Sequence, residues 1–102
     1  MATPLQLSTG RRDGRLVLTV VGELDLSNVA DFVGALQRAV SGTDGSPLRL
    51  DLSGVEYLDS GAINVLFDHA EDIDLVVNPI LLPVLTVSGL TDVVTVEPAQ
   101  AL

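Results

Sequence analysis

The sequence predicts an α/β domain: a mixed β-sheet with helices packed against it, laid down in the order β-β-α-β-α-β-α-β. Three observations predict it. Apolar residues make up 47% of the 102-residue chain, yet only Phe32, Tyr57 and Phe67 are aromatic, so Leu, Val, Ile and Ala must fill the interior. Short apolar runs of strand length alternate with segments of helical period along the whole chain. Between them fall Gly, Pro, Asn and Asp, the residues that turns require. Residues 1–102 read as a single domain, long enough for one modest core and too short for two.

Residues 5–9 (LQLST) and 15–22 (RLVLTVVG) read as strands of a hairpin, because Asp13-Gly14 tolerates the positive φ of a tight turn. The second strand is apolar at nearly every position, the pattern of a strand buried on both faces. Val29, Phe32, Val33, Leu36 and Val40 then recur at helical spacing, the stripe of an amphipathic helix. Ser27 or Asn28 can cap it, and SGTDGSP (41–47) ends it. After Pro47 the chain alternates, with Leu48, Leu50 and Leu52 on one face of a strand. From Ser60 the period turns helical, and Ile63, Leu66, Phe67 and Ala70 share a side. EDID (71–74) ends that helix, and LVV (75–77) makes a short strand. Asn78-Pro79 reads as an N-cap and first helical residue, where proline has no N–H to waste. This third helix runs from 79 to about 88 and closes at Ser88-Gly89, with Pro83 in its interior or first turn and costing it a hydrogen bond. DVVTV (92–96) is the last strand and EPAQAL (97–102) a frayed tail.

Charge and composition exclude several functions. Fourteen acidic residues against five arginines and no lysine give a net charge of −9, unsuited to a phosphate backbone or an anionic membrane. A basic partner fits better. With no cysteine there is neither disulfide nor thiolate chemistry. The stretch MATPLQLSTGRRDGR lacks the apolar core of a signal peptide, and the apolar run near 75–90 is broken by Asn78, Pro79, Pro83 and Gly89. A cytoplasmic protein is expected.

No catalytic constellation emerges. A nucleophilic serine needs a base within hydrogen-bond reach. The one histidine, His69, stands nine residues after Ser60 on the same helix, roughly 13 Å along its axis, and reads as solvent-facing. His69, Glu71, Asp72 and Asp74 match the spacing of neither an EF-hand nor a zinc-binding helix. The scattered glycines form no phosphate-binding loop, and Glu23 with Asp25 is a weak carboxylate pair. No enzyme, metal or cofactor is expected.

Asp59-Ser60-Gly61 stands where a strand passes into a helix. Ser60 can cap that helix, worth about 1 kcal/mol. A phosphate there would also be tolerated, held by the free N–H groups and the helix dipole. It would add about −1.5 to −2 charges beside Asp59, and near Asp25 if both loops share a sheet edge. On the residues alone both readings stand, with the cap the plainer one.

Residues 50–66, LDLSGVEYLDSGAINVL, resemble the signature of the STAS family, and in particular of bacterial anti-sigma factor antagonists. VVGELDLSNVADF (20–32) is similar to the family's GELD loop and first helix. NPILLPVLTVSGLTDVVTV (78–96) is similar to its proline-started helix, SGL break and final strand. The three stretches lie in family order and cover most of residues 5–96. The resemblance implies a STAS fold, with Ser60 at the phosphorylatable position and Asp25, Asp59, Ser60, Gly61 and Ala62 on the partner-binding surface. It implies a cytoplasmic anti-sigma factor as partner, a serine kinase of the histidine-kinase-like ATPase class. Unphosphorylated, such a protein sequesters that kinase and frees a sigma factor; phosphorylated, it lets go. The alternative within the fold is a regulatory subunit docked on the ATPase of an ABC-type phospholipid transporter.

The chain departs from that pattern in several places. Gly61 and Ala62 stand where the family has a second Ser or Thr and then Gly, and Asn64 replaces another glycine. The stretch from Asp59 to Pro79 predicts a truncated second helix, and a fourth, C-terminal helix is not expected. Ile80, Leu81, Leu82, Val84, Leu85 and Val87 ring the third helix, which predicts a sticky face and a homodimer through it.

Overall fold

The computed structural model describes residues 4–99. The hairpin forms where Asp13-Gly14 predicts it. Strand β1 (Gln6–Arg12) pairs antiparallel with β2 (Arg15–Leu24), and the two turn residues take φ of 53° and 80°. Helix α1 (Val29–Ser41) then leads to β3 (Leu48–Leu58), α2 (Ser60–Asp68) to β4 (Ile73–Val77), and α3 (Leu82–Val87) to β5 (Thr95–Pro98). The sheet order is β1-β2-β3-β4-β5, with β2 to β5 mutually parallel. This is the mixed sheet, with helices packed against it, that the sequence predicts. Because β2 and β3 are parallel neighbours, the loops that follow them leave the same edge of the sheet.

One face of the sheet carries the core. Leu18, Val20 and Leu24 of β2 and Leu48, Leu50 and Leu52 of β3 pack under Phe32 and Leu36 of α1 and Leu66 of α2. At roughly 1.5–3 kcal/mol for each buried side chain, this aliphatic cluster is the main term holding the helices down.

The opposite face corrects the expectation that β2 is buried on both sides. Its residues lie beside cross-strand ion pairs instead: Arg15–Asp74 at 3.0 Å, Arg12–Asp51 at 3.5 Å and Arg49–Glu97 at 3.6 Å. Val17 is buried there outside the core cluster, with Gly10 and Arg49 as its neighbours across the strands. Such partly exposed pairs contribute about 0–1 kcal/mol each, so they add little to the stability that the core supplies.

The C-terminal third follows its expected order with shifted boundaries. The Asn78 side chain accepts from the Ile80 N–H (3.1 Å), as its place before Pro79 predicts. Residues Pro79–Leu81 form a 3-10 turn before α3 starts at Leu82. Pro83 thus falls in the first turn of α3, where its missing N–H would have had no partner, so the expected loss of a hydrogen bond does not arise. The last strand begins at Thr95, not Asp92, because Leu90–Asp92 winds into another 3-10 turn that sends Leu90 and Val94 into the core. Helix α2 has nine residues and is followed by a 3-10 turn at Ala70–Asp72. Of the expected frayed tail, Glu97 and Pro98 belong to β5, and the Ala99 N–H donates to the Val77 carbonyl (2.7 Å). Residues 100–102, where a further helix was not expected, lie outside the described residues.

Gly22 shapes the end of β2. It has φ of 118°, sits where the β2–β3 register shifts, and a Cβ there would stand 2.6 Å from the Pro4 carbonyl oxygen. Gly22→Ala is expected to cost about 2–3 kcal/mol through backbone strain and that clash, read as a lowered midpoint in urea denaturation.

Candidate partner-binding site

The loop after β2 is built by two short side chains. The Asp25 carboxylate accepts from the Ser27 N–H (2.9 Å) and from the Ser27 hydroxyl. The Asp25 carbonyl accepts from the N–H groups of Asn28 (3.1 Å) and Val29 (2.9 Å). Asn28 is the N-cap of α1 by position, yet its side chain does not bond the helix N–H groups. It reaches back instead, accepting from the Asp25 N–H (3.0 Å) and donating to the Glu23 carbonyl (2.7 Å). The loop is therefore closed on itself and presents Leu26, 84% exposed, at its tip. The two bonds from Ser27 hold the Asp25 carboxyl below its ordinary pKa, outweighing the slight opposing effect of desolvation.

The loop after β3 corrects the assignment of the cap. Asp59 is the N-cap of α2: its backbone is extended, and its Oδ1 accepts from the Ala62 N–H (2.9 Å). Its own N–H donates to the Leu24 carbonyl (3.1 Å), fastening the end of β3 to the end of β2. Ser60 is the first helical residue, exposed, and takes no part in the cap. Gly61 leaves room for the capping carboxylate, since a Cβ there would meet Asp59 Oδ1 at 3.3 Å. Ala62, expected on the partner surface, has 0% of its surface exposed and packs in the core, so its part is the N–H it gives to Asp59. Asp59→Ala is expected to cost about 1 kcal/mol and Ser60→Ala no more than about 0.5, a difference that parallel thermal melts resolve.

The two loops come together. Leu24 and Leu58 are cross-strand partners, so Asp25 and Asp59-Ser60-Gly61 leave adjacent strand ends. Two exposed apolar residues share this edge and were not singled out in the sequence: Leu26 and Tyr57, the latter 49% exposed beside Glu23. The available signal was a leucine isolated among the polar residues of GELDLSN.

His69 stays away from this edge. It ends α2, half-buried rather than solvent-facing, with Nδ1 donating to the Val65 carbonyl (2.9 Å). Among the described residues no group of three His, Cys, Asp or Glu side chains is placed to hold a metal ion. No described helix is long and apolar enough to cross a membrane.

Known proteins share this architecture. A family model for the Mlab STAS domain matches residues 7–95. An anti-sigma factor antagonist from Mycobacterium paratuberculosis superposes with a TM-score of 0.85 at 23% identity, covering 94% of this chain and 87% of that one. An anti-sigma factor antagonist from Thermotoga maritima, described as putative, gives 0.72 at 20% identity, covering 92% and 86%. The Bacillus cell fate determinant SpoIIAA, solved in its phosphorylated form, gives 0.63 at 18%, covering 95% and 92%. At these identities the superpositions speak for the fold. With the family match spanning nearly the whole described chain, the sheet order and the placement of the helices are those of a STAS domain, and the chain belongs to that family.

Proposed function

We propose that this chain is an anti-sigma factor antagonist that docks through the edge carrying Asp25, Asp59, Ser60 and Gly61 and is switched off by phosphorylation of Ser60. The carrying observation is that Asp59 caps α2, which leaves the Ser60 hydroxyl exposed and unengaged beside the Asp25 loop. Two structural relatives are described as anti-sigma factor antagonists, and SpoIIAA exists in a phosphorylated form. The partner in this reading is a cytoplasmic anti-sigma factor with serine kinase activity of the histidine-kinase-like ATPase class. Holding it frees a sigma factor. The chain acts by binding, for its one histidine lies at the far end of α2 from Ser60.

Affinity capture from the native lysate with wild type, Ser60→Ala and Ser60→Asp as baits tests the switch. A kinase-type anti-sigma factor held by the first two and released by the third is the expected result. A transporter ATPase held equally by all three would sink the switch and leave Ser60 a helix residue only.

Helix α3 supports a further association. Leu81 and Leu85 are buried and Leu82 half-buried, so the ring of apolar residues is not bare all round. Ile80, Val84 and Val87 remain outside, Val87 at 88% exposure. They form a small face suited to weak homodimerisation.

A further inference from the structure

Charge is distributed unevenly over the molecule. Arg11, Arg12 and Arg15 flank the hairpin, Arg49 stands near the start of β3, and Arg38 lies in the last turn of α1. Helix α1 runs back from the Ser60 edge, and Gly42 at its end lies against Leu16 near the start of β2. All five arginines therefore stand at the end of the sheet remote from Ser60. The Ser60 edge carries Glu23, Asp25, Asp31, Glu56 and Asp59 and no basic side chain. Within this acidic field Leu26 projects from a loop already ordered by Asn28 and Asp25, so docking it costs little further conformational entropy. On the same edge Glu23, Glu56 and Tyr57, with Gly22 and Gly54, line a hollow of about 400 Å³. Two carboxylates and a phenol ring suit a guanidinium, which can pair with the former and stack on the latter.

We infer that this edge docks a protein surface carrying an apolar socket for Leu26 ringed by arginine or lysine side chains. The inference rests on the function proposed above and states the chemistry its partner must present. Charge complementarity selects this occupant. A second copy of the chain would set acids against acids edge to edge, and head to tail would offer an end where Arg12, Arg15 and Arg49 already pair within the chain, while nucleic acid or an anionic membrane would be repelled.

The test uses the purified kinase-type anti-sigma factor and the full chain as wild type, Leu26→Ser, Glu56→Gln and Val93→Ser. Val93 is also exposed and apolar but precedes β5 at the opposite end of the sheet, so its substitution controls for lost surface hydrophobicity. Leu26→Ser is expected to weaken binding roughly 10- to 100-fold, mainly by faster dissociation. Glu56→Gln should lower the association rate and its salt dependence, and Val93→Ser should leave both unchanged. Circular dichroism confirms that each variant is folded. If wild type binds but Leu26→Ser binds equally well, or salt leaves the association rate unchanged, the inference is overturned while the proposed function stands. If wild type does not bind at all, the proposed function fails and the inference with it. A wild-type dimer that Leu26→Ser dissociates would make a second copy the occupant and likewise overturn it.

Discussion

Ser60→Asp is expected to weaken the complex with the anti-sigma factor about 100-fold, close to 2.7 kcal/mol, with nearly all of the loss in the dissociation rate. The edge around Ser60 already carries several carboxylates and no base. A basic partner is drawn to such a field, and one more negative charge does not slow the encounter. The loss arises at contact. Ser60 and Gly61 are the small residues at the start of α2, and a carboxylate or phosphate there stands between the helix end and the partner. It must either keep water, which holds the surfaces apart, or lose water in a contact whose basic side chains are already paired with the neighbouring carboxylates, which costs about 2–5 kcal/mol. The fold itself should not suffer. An acidic group in the first turn of a helix is favourable by about 0.3–1 kcal/mol, so the melting temperature of Ser60→Asp should hold or rise slightly. Stopped-flow binding at two salt concentrations separates the possibilities. A reduced association rate with unchanged dissociation would mean that repulsion drives release, and the partner surface would then be acidic.

The order of elements was legible because each rested on a local signal that tertiary packing did not oppose. Asp13-Gly14 specified the hairpin, the stripe from Val29 to Val40 specified α1, and Asn78-Pro79 specified the turn into α3. What was not legible depended on residues distant in sequence or on choices between equal local options. Asp59 and Ser60 are both good caps, and only the extended backbone of Asp59, fixed by its N–H bond to Leu24, decides between them. The residues of DVVTV have strand propensity, yet Leu90 and Val94 fill space in the core, which delays β5 until Thr95. Arg15 and Asp74 are 59 positions apart, so the ion pairs on the open face of the sheet leave no periodic trace. The meeting of Asp25 with Ser60 needed the parallel pairing of β2 with β3. That pairing follows from the β-α-β order, which made this part of the site readable in advance.

Phe32→Ala is expected to remove about 3–5 kcal/mol of stability, the largest single-residue effect in the core. The chain has three aromatic residues, and the other two are not fully enclosed: Tyr57 is half exposed and Phe67 partly so. Phe32 is 0% exposed and lies near the start of α1, within the same core cluster as the leucines of β2 and β3. Aliphatic neighbours that already fill their own sites cannot collapse far into the space of a lost ring, so most of the cavity should persist. For a domain of this size, with a total stability of about 5–15 kcal/mol, that is a large share. Thermal denaturation should show a fall of about 12–30 °C, and urea denaturation a lower midpoint at unchanged slope. Phe32→Leu, which keeps most of the volume, should recover more than half of the loss. The site gives a second readout. Asn28, just before α1, holds Glu23 and Asp25 in place through bonds that do not involve the ring. At a temperature where Phe32→Ala remains folded, binding of the anti-sigma factor should therefore stay within about threefold of wild type. A variant that melts early but binds normally would show that the core supplies stability while the loop's own hydrogen bonds supply its shape. Weak binding by a folded Phe32→Ala would show instead that packing under α1 sets the geometry of the Asp25 loop.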